Sequence, residues 1–134
     1  MSDEVPNDGG LTAGLPSALA FRTRTLRHGS CAAGAYVLYV LDANLRAQEN
    51  QAFDTALTLA NARALPLVVL AELPEDQPLA GDRHHRFQME GLRYVQRSLD
   101  RMGVRVCVHV HRPGRRHGER FRLTRSSGVL TFFL

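Results

Sequence analysis

Three side chains in one short segment have the types and spacing of metal ligands. Cys107, His109 and His111 recur at every second residue, so an extended backbone projects them from one face. A thiolate and two imidazoles form an acceptable donor set for zinc. The solvated face of an edge strand, in a sequence rich in arginine and histidine, gives the same pattern without an ion, and no metal site is expected. A second group lies where strands should end. Asp42, Asn44 and Arg46 follow one apolar run and Glu72 follows another. Ligands of open α/β sheets sit outside the carboxyl ends of the strands, so these four are the candidate cofactor contacts. No catalytic set accompanies them. Ser17, Ser30, Ser98, Ser126 and Ser127 lie outside any Gly-x-Ser-x-Gly elbow. Asp42, Glu49 and Asp54 are explained by a strand-end cap and an acidic first helical turn. The turn Asp42-Ala43-Asn44-Leu45-Arg46 has no glycine, and the cluster at Gly29 and Gly34 precedes the strand. The chain therefore lacks the Gly-x-Gly-x-x-Gly turn that lets backbone approach a pyrophosphate, and it lacks a P-loop.

These residues need a scaffold, and the hydrophobic pattern supplies one. Residues 36–41 are continuously apolar and of strand length, as suits a strand buried on both faces. A helix is expected from about Gln48 to Ala64, where Phe53, Ala56, Leu57, Ala60 and Ala64 share one face. Pro66 ends it, and residues 67–71 form a second central strand. Residues 73–81, with two prolines and acidic residues, read as a loop. Asp82 is the expected N-cap of a second helix from Arg83 to Met102. Its apolar stripe is Leu92, Val95, Leu99 and Met102, and Gly103 closes it. Residues 104–110 alternate strictly, with valine on one face and polar residues on the other. An Arg46, then Glu49-Asn50, at a helix entry can lock the preceding loop, the arginine pairing with a carboxylate and the amide bonding backbone. Helix-length connections force parallel pairing with right-handed crossovers. The expectation is an α/β fold, a Rossmann-like doubly wound parallel sheet, incomplete, with three strands evident.

Composition narrows the class. The 134 residues suffice for one domain with one core, and 44% are hydrophobic. No apolar run nears the roughly 20 residues that span a bilayer, and the acidic N-terminus lacks a signal-peptide core, so no membrane contact and a cytoplasmic location are expected. Cys31 and Cys107 form no CxxC pattern and are expected as free thiols. The net charge is +4, and all seventeen basic residues are arginine, as a GC-rich coding bias produces. Residues 1–34 read as a flexible leader with a basic arm, residues 35–113 as the α/β domain, and residues 114–134 as an aberrant or truncated basic tail. That tail opens on Arg115, Arg116, His117, Arg120, Arg122 and Arg125 and shows no helical period. A frame-shifted end is expected there. Translating the encoding DNA in all three frames past codon 113 tests this, and it fails if no frame continues the α/β pattern.

Two motifs carry a resemblance. Residues 36–53, with Arg46, Glu49, Asn50 and Ala52 after the apolar strand, resemble the first strand and helix of the photolyase/cryptochrome family. Residues 82–92, with Arg83, His84, Phe87, Met89, Gly91 and Leu92, resemble a segment of class II cyclobutane pyrimidine dimer photolyases, as does the Arg22, Arg24, Leu26 arm. The sequence departs from the family at Glu49, usually Asp, and at Val40, often Trp. The resemblance marks Arg46, Glu49, Asn50, Arg83, His84, Phe87 and Gly91 as a structural family motif. It implies the N-terminal α/β domain, which in some members holds an antenna chromophore, a deazaflavin or a folate. It implies FAD and damaged DNA as ligands of the full-length family only, because both are bound through a helical C-terminal domain to which electrons travel by tryptophans. This chain has no tryptophan.

Three functions follow. The first is the α/β fragment of a DNA photolyase, inactive alone. The second is a free-standing Rossmann-like module that binds a nucleotide or chromophore. The third, nucleic-acid binding through the arginines, is the weakest, because Arg86, Arg93, Arg97 and Arg101 alternate with Glu90 and Asp100 as a solvated face does.

Overall fold

The computed structural model describes residues 14–25, 35–41, 45–74, 81–112 and 114. The elements are α1 (Ser17–Ala20), β1 (Val37–Leu41), α2 (Gln51–Ala62), β2 (Leu67–Pro74), α3 (Asp82–Asp100) and β3 (Arg105–His111). The strands form one parallel sheet in the order β1-β2-β3. Val37 pairs with Leu67 and Val68 with Arg105. This is a Rossmann-like parallel sheet, the α/β arrangement expected from the hydrophobic pattern.

Both long helices pack on one face. Val37, Tyr39 and Leu41 of β1 and Leu67, Val69 and Ala71 of β2 meet Ala52, Phe53, Ala56 and Ala60 of α2. Leu92, Val95 and Leu99 of α3 close the same cluster. Two crossovers of the same hand that advance in the same direction place their helices on the same side. The opposite face carries Leu38, Val40 and Leu70, also buried, with Tyr36, Val68 and Cys107 beside them. Burial on both faces is why β1 and β2 are continuous apolar runs instead of alternating ones.

Several boundaries differ from the sequence expectation, each for a local reason. Helix α2 starts at Gln51 because Asn50 is its cap: the Asn50 side chain accepts from the Phe53 N–H. It ends by a left-handed Ala64 (φ 52°) and a Leu65 N–H bond to the Ala60 carbonyl. Asp82 is not the cap of α3. Gly81 is, with no side-chain bond, and Asp82 is the first helical residue, where its charge meets the positive end of the helix. The helix stops at Asp100, and Gly103 turns the chain with φ 73°. Strand β2 runs three residues beyond Ala71, because Glu72, Leu73 and Pro74 pair with His109, Val110 and His111. The faces of β3 are also corrected. Val104 is buried, but Val108 and Val110 are exposed by 42% and 46%, while Cys107, His109 and His111 are half-buried. Helix α3 covers only the start of β3, so the valine face is open beyond Val106. In the expected leader, Ser17–Ala20 forms one helical turn.

Candidate functional site at the carboxyl edge of the sheet

The carboxyl ends of the three strands, the β1–α2 loop and the first half of α3 converge at one edge. Of the candidate contacts, Asp42 and Asn44 lie outside the described residues, as do Cys31 and the tail from Arg115 on. Arg46 is exposed. Glu72 is largely buried, with its Oε1 3.7 Å from His111 Nε2. His109 is paired with Glu72 in the β2–β3 register, and its ring meets that of His111 edge-on at a centroid distance of 5.4 Å. The edge thus gathers a carboxylate and two imidazoles, which can hold or pass a proton. Among the described residues no group of three or more His, Cys, Asp and Glu side chains is placed to hold a metal ion.

Asn50 fixes the loop that borders this edge. It is buried, and its amide donates to the Tyr39 hydroxyl and to the Arg46 carbonyl, both at 3.0 Å, while its Oδ1 accepts from Phe53 N–H at 3.1 Å. One side chain therefore ties β1, the loop and α2 together. The expected amide-to-backbone bond is present. Among the described residues no carboxylate pairs with the Arg46 guanidinium. Glu49, just before the cap, is exposed and left-handed at φ 52°, a conformation that costs a non-glycine residue on the order of 1 kcal/mol. The Tyr39 ring packs against Phe53 at 6.0 Å. Burial pushes the Tyr39 hydroxyl above its ordinary pKa, and the donated Asn50 bond opposes that in part.

Helix α3 borders the same loop, on the face of the sheet opposite Glu72, His109 and His111. A Cβ at Gly91 would lie 3.3 Å from Leu45 Cδ1, so the glycine lets the helix approach the loop closely. Gln88, one turn earlier, was not foreseen. Its Oε1 is buried without a hydrogen-bond partner. An unmet acceptor of this kind costs about 1–3 kcal/mol. The available signal was its position four residues before Leu92, on the apolar stripe. Arg83, His84 and Phe87 are exposed. Phe87 leaves 72% of its surface in solvent, so these three hold no part of the described core. A shallow depression of about 510 Å³ lies along α3 rather than at the strand ends, lined by Asp82, His85, Arg86, Met89, Glu90 and Arg93. Among the described residues no helix is long and apolar enough to cross a membrane.

No family model matches the chain. It is similar to the deoxyribodipyrimidine photo-lyase of Methanothermobacter thermautotrophicus (strain Delta H), with 39% identity over 80 residues. The match takes in 60% of this chain and 18% of that protein, so the chain spans less than a fifth of the length of the relative it matches.

Proposed function

We propose that this chain is the N-terminal α/β portion of a DNA photolyase of the class II type, an antenna-type domain that does not repair DNA by itself. The observation that carries this reading is the 39% identity to a deoxyribodipyrimidine photo-lyase, together with a parallel three-stranded sheet whose order fits the start of a nucleotide-binding fold. The family's reaction is a light-driven electron transfer from reduced FAD into a cyclobutane pyrimidine dimer, which then splits. The aligned part is a small fraction of the relative, and the described residues offer no set of groups that would hold FAD or relay electrons to it.

The carboxyl edge suits a smaller chromophore better. Gln88 Oε1 has no donor, and a heterocycle with ring N–H groups, such as a deazaflavin or a folate, would supply one. Arg46 can pair with an anionic substituent of that ligand. Glu72, His109 and His111 share the side of the sheet with Leu70 and Cys107, opposite α3, and are not counted among these contacts. When bound, such a pigment would contribute light absorption, and the role of this chain would be to bind and orient it. Two measurements test the proposal. The purified chain should leave a thymine-dimer oligonucleotide unrepaired under near-ultraviolet light. It should also carry no stoichiometric FAD in its absorption spectrum. Repair, or one FAD per chain, would overturn it.

A further inference from the structure

We propose that the outer face of α3 is a binding surface for a single nucleic-acid strand, a property separate from the carboxyl-edge site. At 100° per residue, Arg93, Arg86, Arg97, Glu90, Arg83, Arg101, Tyr94 and Phe87 fall within an arc of about 120°. The core-facing residues Leu92, Val95 and Leu99 lie on the other side of the helix. All eight residues of the arc are exposed. Glu90 is the sole carboxylate inside it, because Asp82 and Asp100 lie at the two ends of the helix and at the margin of the arc. The alternation of signs seen in the sequence therefore does not survive in space: guanidinium groups dominate one face for about 27 Å of helix.

Charge alone would suit any anionic partner. The aromatic side chains select among them. Phe87 and Tyr94 leave 72% and 56% of their surface in solvent, seven residues apart on the same flank, or about 10 Å along the axis. Large rings left out of a core beside arginines are the elements with which proteins grip an unpaired strand: bases stack on the rings and phosphates meet the cations. A duplex hides its base faces and would use the arginines alone. The chain's net charge of +4 favours the encounter.

The test is a fluorescence-anisotropy titration of the full chain with labelled dT20, and with the matching duplex, at three sodium chloride concentrations. Engagement of all five arginines predicts a log K against log salt slope of about −3.5 for the single strand. Arg97→Gln with Arg101→Gln should lower that slope by about 1.4. Phe87→Ala and Tyr94→Ala should each weaken dT20 binding by roughly tenfold and leave duplex binding unchanged. Both residues are exposed, so circular dichroism of these variants should match the parent. Four results would overturn the proposal. The first is no binding at 50 mM salt, and the second is an unchanged slope in the double arginine variant. The third is full affinity in both aromatic variants. The fourth is a binding signal abolished by Arg115→Gln with Arg116→Gln alone. Concentration-dependent self-association lost in Phe87→Ala, without strand binding, would assign the face to a second copy instead.

Discussion

Replacing Asn50 by alanine should destabilise the domain more than any other single polar substitution among the described residues. The side chain makes three hydrogen bonds: a cap to Phe53 N–H, and donations to Tyr39 Oη and the Arg46 carbonyl. Loss of the cap costs about 1 kcal/mol. Each of the other two bonds contributes about 1 kcal/mol net, and of the two partners left behind the Tyr39 hydroxyl is buried while the Arg46 carbonyl is part-buried. The expected total is about 3 kcal/mol, a large part of the roughly 5–15 kcal/mol that a domain possesses. The assay is equilibrium urea unfolding followed by circular dichroism, with Tyr39→Phe and the double variant completing a cycle. Tyr39→Phe alone should cost about 1 kcal/mol. The double variant should be less destabilised than the sum of the two by a coupling of about 0.5–1.5 kcal/mol. A loss below about 1 kcal/mol in Asn50→Ala, or no coupling with Tyr39, would refute the view that this amide ties the strand, loop and helix together.

The Tyr39 hydroxyl is held above its ordinary pKa of 10.0 by burial. Its neutral form is therefore favoured in the fold, the associated stability is complete below about pH 10, and it is lost as pH rises toward the folded-state value. Urea midpoints measured from pH 9 to 11 should fall less steeply in Tyr39→Phe than in the parent; parallel curves would contradict this. Gly91→Ala should change stability by no more than about 1 kcal/mol, and in the favourable direction. Helix propensity favours alanine, and the close atom it meets is the terminal methyl of half-buried Leu45, which can turn away. A clear loss in thermal melts would show that Leu45 is pinned. Gln88→Leu removes the unmet acceptor and should raise the stability of the ligand-free chain by about 1 kcal/mol while weakening chromophore binding. Destabilisation in urea titrations would show that the amide is already satisfied.

Much of the scaffold was legible because its signals are local and redundant. Residues 37–41 and 67–71 are apolar without alternation, and only a strand buried on both faces needs that composition. Leu92, Val95 and Leu99 marked the inner face of α3 by period alone, and Pro66 marked a stop. What escaped depended on contacts between elements. Asn50 and Asp82 both have the chemistry of a cap. Asn50 caps α2 while bonded to Tyr39 and to the Arg46 carbonyl from a strand and a loop, whereas Gly81 stands at the cap of α3 and Asp82 is its first residue. The valines of β3 alternate as a core face does, yet α3 reaches only the first of them, so Val108 and Val110 stay open. At the site, Arg46 and Glu72 were named from the rule that ligands sit at strand ends, and both lie near that edge. Gln88 was not: it stands four residues before Leu92 on the apolar stripe, but a lone glutamine there reads as the end of the stripe. The stripe on α3 shows the same limit: Glu90 and Asp100 interrupt the arginines along the chain but barely interrupt them around the helix.

The proposed role of this α/β unit is to hold an antenna pigment and not FAD. It is tested most directly by titrating the purified chain separately with a 5-deazaflavin, a reduced folate, FAD and ATP, following chromophore fluorescence and heat. That role requires saturable one-to-one binding of the deazaflavin or the folate, weakened by Gln88→Leu, with no stoichiometric uptake of FAD. Stoichiometric FAD, or ATP bound while both pigments are ignored, would contradict it.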